Sequence, residues 1–354
     1  MRAHGPATQT LYAQLFEATA AYDVDLVGGF AQGLAVERAV RKRTYLYWQM
    51  RDVAGHLRQV YLGPALDDGA QALRQSLEEY KKRRRPILVD LQRLSAAYLA
   101  SGGAAHLGSH FPIVDALARA GLFRAGAVLV GSHAFVSIGA ALGVSWSGDT
   151  VATADVDICR DAFVTIACES LQAIDVPGVL KQVDPTFFLV PELDLKTPSS
   201  SMMSRARGVR LDLLTTAKTP RDVRPRVVAP FGLAAQPLRY MDYLVRDEVS
   251  RGLFIGAHSI LVNIPHAGRF ALQKLAVSMR RAAGPSSIKS EKDRRQAAAL
   301  ILALADRQPG ALVLAADAAR AHHDRGLARD VWTAAKKISP EARRHFATLV
   351  GEQP

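Results

Sequence analysis

The chain has 354 residues, 49% of them hydrophobic and 22% charged, with 45 lysines and arginines against 33 acidic residues and a net charge of +12. That length gives room for a large core and two or three domains, and the composition excludes wholesale disorder. A pI near 9.9 favours a polyanionic partner such as RNA, DNA or an acidic surface, without choosing among them. The two cysteines, Cys159 and Cys168, form no C-x-x-C and give no sign of a disulfide framework or a zinc site. They fit a reducing cytoplasm, the expected location. The opening MRAHGPATQTLYAQLF lacks the uninterrupted apolar segment of a signal peptide.

In chain order, residues 10–20 read as a short helix. RTYLYWQM (43–50) and LRQVYLGP (57–64) read as a β-hairpin with its loop near Gly55. A long helix is predicted from about Asp68, broken at Pro86, where a second helix begins. Gly102 and Gly103 mark a boundary. PIVDALARAGLF is predicted as a helix. The longest apolar run, AGAVLVGSHAFVSIGAALGV, reaches membrane-span length. Its Gly-Ser-His interruption makes it a strand, a tight turn and a helix, so no membrane partner is expected. VSWSGDTVA reads as loop, DVDI as a strand and DAFVTIACESLQAI as a helix. PTFFLVP and VRLDLLT read as strands separated by a polar, basic loop, KTPSSSMMSRARG. Beyond about Pro237 the pattern is mostly helical, interrupted by one β-like piece, HSILVNIP. The expected division is 1–100, 101–235 and 236–354.

Charged residues are uncommon in a strand that wants burial, so TADVDI needs an explanation. Asp155 and Asp157 are two apart and project to one face, with Val156 and Ile158 on the other. At about 3.3 Å rise per residue their Cα atoms lie roughly 6–7 Å apart. Carboxylates that close repel unless cations sit between them. They can converge on two divalent ions about 3.5–4 Å apart, as in in-line phosphoryl displacement. Mg2+ suits oxygen ligands, with Mn2+ an alternative. In VRLDLL, Asp212 alternates with Leu211 and Leu213 and shares a face with Arg210. It is either a third acid for the site or a plain partner for Arg210. Upstream, VLVGSHAF ends a strand at Gly131. A missing side chain there lets N–H groups approach an anion, and Ser132 at the helix start can cap it or hold a phosphate oxygen. No Walker-type P-loop or dinucleotide fingerprint occurs.

Strand–Gly–Ser–helix, then D-x-D on a strand, then a single Asp on a later strand, resembles the polymerase-β-type nucleotidyltransferase superfamily. The matching residues are Gly131, Ser132, Asp155, Asp157 and Asp212. The TADVDI form, with Thr153 just upstream, resembles the branch that includes AbiEii-type toxins. The chain is also similar to a bacterial nucleotidyltransferase-fold family named after a Geobacter member, on YLYWQM and QVYLGP near the start and IPHAGRFALQKLAVSMRR and KSEKDRRQAAALI near the end. The interval from Ser132 to Asp155 is longer than in compact members, the extra residues being GVSWSGDTVA. The resemblance implies an α/β (α+β) core with a mixed sheet flanked by helices, an N-terminal β-hairpin with helices and a C-terminal helical domain. It implies Mg2+-dependent transfer of a nucleoside monophosphate from an NTP to an acceptor hydroxyl, with Asp155, Asp157 and Asp212 as metal ligands. A toxin or defence role, with a cognate antitoxin, follows from the resemblance alone. Charge points to RNA, tRNA in particular, as acceptor. Transfer to a protein or small molecule, or a silent fold that binds nucleic acid, are the competing readings.

RFALQKLAVSMRRA reads as an amphipathic helix whose Lys274 sits among apolar neighbours. In related nucleotidyltransferases a helix here brings a lysine to the triphosphate. The bland alternative is a lysine extending along the core edge into solvent. Residues 280–295 hold six cations, Arg280, Arg281, Lys289, Lys292, Arg294 and Arg295, against Glu291 and Asp293. That patch is either a triphosphate or RNA contact or a solvated helix start. YKKRRRP is accounted for by the helix macrodipole. Tyr45, Tyr47 and Tyr61 are either base-stacking or packing residues. His106 and His110 have no evident third ligand, and the adjacent His322 and His323 are expected in solvent.

Overall fold

The structure is a computed structural model that describes residues 1–26, 33–40, 43–51, 57–151, 153–160, 174–192, 194, 196–219, 221–228, 231–246, 249–281 and 287–353. The helix predicted over 161–174 falls almost wholly outside these residues, as do Cys168 and the loop near Gly55.

The chain begins with β1 (Arg2–Ala3) and α1 (Pro6–Leu26). The predicted hairpin is present with a third member: β2 (Leu34–Val40), β3 (Arg43–Arg51) and β4 (Leu57–Pro64) form an antiparallel sheet in the order β2-β3-β4. Leu46 and Trp48 of β3 are fully buried. Then α2 (Asp68–Ala100) runs unbroken for 33 residues, its first turn capped by Asp67, whose carboxylate accepts from the Ala70 N–H at 2.9 Å. Pro86 lies inside this helix and does not end it. Pro86 is exposed, so the backbone carbonyl left without its helical donor is on the water side, and strong helix formers flank it.

The central part contains α3 (Phe111–Arg119), β5 (Val128–Leu129), α4 (Gly131–Ala141), β6 (Val144–Ser145), α5 (Gly148–Val151), β7 (Asp155–Cys159), α6 (Val176–Val183), β8 (Phe187–Leu189), β9 (Ser201–Ser204), β10 (Arg210–Thr216), β11 (Arg226–Val228) and β12 (Leu233–Leu238). The main sheet is mixed. β10 is its axis: β7 lies parallel along one edge, and the other edge is shared by antiparallel β9 at the N-terminal half and parallel β12 at the C-terminal half. β5 closes the far side antiparallel to β7. β9 corrects the loop expected over 196–208. Met202 is fully buried there, and its flanking serines let a polar-looking stretch pair as a strand. The long interval after Ser132 is absorbed by β6, which pairs with β1, and by the one-turn α5. β5 and β7 still pair directly.

α7 (Met241–Val245) leads to an antiparallel hairpin, β13 (Val249–Ile255) and β14 (Ser259–Pro265), then α8 (Ala267–Arg280), α9 (Ser287–Arg307), α10 (Pro309–Ala321), α11 (Gly326–Ala335) and α12 (Pro340–Val350). Only β14 was legible as β; RGLFI pairs with it because both strands are nearly buried and need each other's backbone groups. One hydrophobic core runs from Phe111 to Val350, joining Val156, Ile158, Leu211 and Leu213 of the sheet to Phe270, Leu275, Leu300 and Leu304 of the helices. Each such fully buried side chain stabilises the fold by about 1.5–3 kcal/mol. α1 and α2 pack through Leu15, Leu91 and Tyr98 onto Leu253, Ile255 and Leu261 of the hairpin. Among the described residues no helix is long and apolar enough to cross a membrane.

Candidate active site

The acidic side of the site follows from strand alternation. Val156 and Ile158 are fully buried, so Asp155 and Asp157 project from the opposite face of β7. Leu211 and Leu213 are buried in the same way, which turns Arg210 and Asp212 to the other face of β10. The parallel register sets Asp212 beside Asp157 and Arg210 beside Asp155. Three acids from two neighbouring strands therefore share one face. Asp212 satisfies both readings of the sequence. It accepts from Arg210 Nε at 2.7 Å and from Ser201 Oγ at 2.5 Å, both on Oδ1, while lining the same cavity as the other two acids.

The turn at Gly131 closes against these acids. The Val130 N–H donates to the Asp157 carbonyl at 3.0 Å, which ties the turn to β7. Gly131 has φ +65°, and a Cβ there would stand 2.1 Å from Asp157 Oδ2. Only glycine tolerates both the left-handed backbone and that approach. No side chain caps α4, so the orphan N–H groups of its first turn open toward the cavity lined by Val130, Gly131 and Ser132. The Thr153 hydroxyl takes the Asp155 N–H at 3.3 Å and contacts the Asp155 carbonyl at 3.2 Å, shaping the entry to β7.

The opposite wall is cationic. Lys274 of α8 is 12% exposed and donates to the buried Asp293 of α9 at 2.7 Å. It does not run out along the core edge into solvent. Arg281 takes the other oxygen of Asp293 at 2.8 Å. Arg280 is paired with Asp330 of α11 at 2.7 Å, and the Tyr240 hydroxyl donates to the same carboxylate at 2.8 Å. Lys292 Nζ lies 2.8 Å from Ser132 Oγ, linking α9 to the turn. Walls and floor enclose about 420 Å³, and Gly131, Ser132, Thr153, Asp155, Asp157, Asp212, Lys274 and Arg280 all line it.

The electrostatics are uneven. The Asp157 carboxyl is pushed up to about 6, first by burial and then by the negative charge of Asp212; Lys274 opposes this and Asp155 adds to it. Asp157 is part-exposed to the cleft, yet protein surrounds it on nearly every other side. The Lys292 ammonium is pulled down, by burial first and then by the charge of Lys274. An all-oxygen donor set in which one carboxylate is held reluctantly ionised by its neighbour is one that a hard divalent cation fits.

Several cavity residues carried no individual assignment from sequence. Lys292, Lys289 and Arg281 showed only as a charge patch, and Arg239, Tyr240 and Gln273 gave no local signal. The histidines also differ from expectation. His110 Nδ1 lies 2.6 Å from His133 Nε2, and His106 contacts Ser137 Oγ at 3.1 Å and accepts from the Ile255 N–H at 3.0 Å, so three rings pack behind α4. The third member, His133, was invisible to spacing. His322 and His323 lie past the end of α10, where both Nε2 atoms reach Asp242 Oδ2, at 3.1 and 3.6 Å; His323 is exposed as expected, and it is His322 that is largely buried. These three residues cluster tightly enough to hold a metal. However, His322 Nδ1 accepts from the Asp324 N–H at 3.1 Å, which leaves the proton on Nε2. His322 is thus a hydrogen-bond donor to Asp242.

No curated protein and no solved structure matches the chain. The model of a nucleotidyltransferase family matches residues 109–336, from just before α3 to just beyond α11, and so spans both walls of the cavity. With Gly131, Ser132 and the three acids all inside that range, the chain belongs to the nucleotidyltransferase family.

Proposed function

We propose that the chain moves a nucleoside monophosphate from an NTP to an acceptor hydroxyl on RNA, tRNA in particular. The observation that carries this is the register that sets Asp212 beside Asp157, with Gly131 pressed against Asp157 in the same cavity. Asp155 and Asp157 would hold Mg2+, in one or two ions, with Asp212 completing the acidic set, and when bound the metal supplies positive charge that neutralises the phosphates and favours in-line displacement. Ser132 and the first N–H groups of α4 hold the triphosphate from one side, where the helix N-terminus favours negative charge. Lys274, Arg280, Arg281 and Lys292 hold it from the other. The acceptor oxygen bonds to the α-phosphorus as the α–β bridging P–O bond breaks and pyrophosphate leaves. The hydroxyl proton passes to Asp212 Oδ2, since Oδ1 is engaged by Arg210 and Ser201.

The net charge of +12 supports a nucleic-acid acceptor. A toxin role, with an antitoxin as partner, rests on the likeness of TADVDI to AbiEii-type proteins. Incubation with α-labelled NTPs, Mg2+ and total RNA tests the reading. Label in RNA, lost in Asp157→Asn and on chelation, is the expected result. Label entering protein or small molecules in place of RNA would move the acceptor, and absence of label with every nucleotide and acceptor would remove the activity.

A further inference from the structure

The sheet formed by β2, β3 and β4 presents two unlike faces. Leu46 and Trp48 point inward and are fully buried, Leu46 in a small cluster with Ala65 and Ala70. By alternation Tyr45 and Tyr47 point outward, and the register adds Tyr61 opposite Tyr47, Arg38 opposite Tyr45 and Val36 opposite Tyr47. The three tyrosine rings form a continuous group, with centroids 6.0 Å apart for Tyr45–Tyr61 and 5.5 Å for Tyr47–Tyr61. Tyr61 is 54% exposed. A solvent-facing sheet surface is normally polar, but here it is aromatic and aliphatic. Its charges are of one sign. Arg38 and Arg43 are exposed on it, Glu37 lies on the opposite face, and no carboxylate occurs on the tyrosine face among the described residues. Beside the rings, Gln59 donates to Gln49 across the strands at 2.6 Å, giving the face an amide edge.

We propose that this face docks single-stranded RNA, its bases stacked on Tyr45, Tyr47 and Tyr61 and its phosphates met by Arg38 and Arg43. Aromatic rings interleaved with cations and free of acids match a strand whose bases are flat and apolar and whose backbone is anionic. Stacked bases use the flat rings and the linked phosphates use the cations at once, which a protein partner would do only by placing carboxylates opposite Arg38 and Arg43. As the docking place for an acceptor, the face rests on the reading of RNA as substrate; as a binding surface it is independent of that reading.

The test is fluorescence anisotropy of a labelled twelve-nucleotide oligouridylate with the full chain, at two salt concentrations and against a blunt RNA duplex. Tyr47→Ala/Tyr61→Ala is expected to weaken single-strand binding by about tenfold or more, and Tyr47→Phe/Tyr61→Phe to retain it. Arg38→Gln/Arg43→Gln is expected to lower the salt dependence by about one to two phosphate contacts. Circular dichroism of the alanine pair guards against a folding defect, and binding of labelled ATP with Mg2+ reports the cavity. Unchanged RNA binding by the alanine pair overturns the proposal. So does a wild-type dimer that the alanine pair converts to monomer, because the face would then join two copies. If RNA binds through this face but never accepts label, the transfer reading fails and the docking stands. If label still enters RNA at the wild-type rate with the tyrosines removed, only the docking fails.

Discussion

The two walls of the cavity solve their electrostatic problem in opposite ways. The acidic wall comes from adjacent strands, where register alone brings Asp157 and Asp212 together and leaves Asp157 at odds with its neighbour. The basic wall comes from helices, and its cations are already matched: Lys274 and Arg281 by Asp293, and Arg280 by Asp330. One wall carries stored repulsion between carboxylates, while on the other Lys274, Arg280 and Arg281 are matched by the protein itself and Lys292 still feels the charge of Lys274.

The largest effect that could break this contrast is at Asp157. Asp157→Asn is expected to lower transfer by about a hundredfold or more, and yet to raise the stability of the metal-free protein at pH 7.5 by on the order of 2–3 kcal/mol. The folded carboxyl titrates near 6 against 3.8 for the free side chain, so its ionised form costs stability above pH 6 and the cost is relieved as pH falls. Urea denaturation with chelator checks it; a less stable variant would show that the acidic wall holds no repulsion. Next is Gly131→Ala. A Cβ 2.1 Å from Asp157 Oδ2, at φ +65°, must displace the carboxylate or the turn, with an expected loss of about tenfold to a hundredfold in kcat.

Asp293→Asn probes the other wall. Removing the buried partner of Lys274 and Arg281 is expected to cost about 3 kcal/mol of stability, read as a shift in urea midpoint, with a lowered KM for NTP because no carboxylate competes for the two cations. The smallest effect sharpens the contrast through pH. His106 is held at about 4 by burial, against 6.5 when free, and His133 lies well below its usual value for the same reason. Their stability contribution is complete above pH 6.5 and is lost as pH falls toward 4, by about 2 kcal/mol at pH 5 for His106. Asp157 acts with the opposite sign over pH 6 to 4, so acid destabilisation should steepen in Asp157→Asn protein. Urea titrations at pH 7.5, 6 and 5 decide it.

The acidic wall was legible in sequence because a two-residue period leaves little freedom: an acid flanked by β-branched aliphatics must face away from the core. Which strand neighbours which was not legible, since pairing is set by non-local packing. The hairpin and the turn at Gly131 were read correctly for the same local reason, whereas the mixed sheet was expected from the family resemblance alone. Pro86 was misread because one missing hydrogen bond on a water-facing side is small against 33 residues of helix. β9 and β13 were missed because neither shows a clean two-residue alternation of its own; each is held by pairing with a neighbouring strand, β8 and β10 for β9 and β14 for β13. The partners of the basic wall were hidden too. Asp330 lies 50 residues from Arg280, and Asp293, counted only as one of two acids within the run, lies 19 from Lys274, so neither pairing could be read.

If the basic wall receives a triphosphate as proposed, Asp293 and Asp330 stand in for it when the cavity is empty. Any polyphosphate that enters must displace a carboxylate already in place, so its affinity is the difference between two ion pairs. On the proposed reading, that exchange would keep the guanidinium and ammonium groups oriented between turnovers and would temper the grip on the departing pyrophosphate, favouring quick release over tight retention.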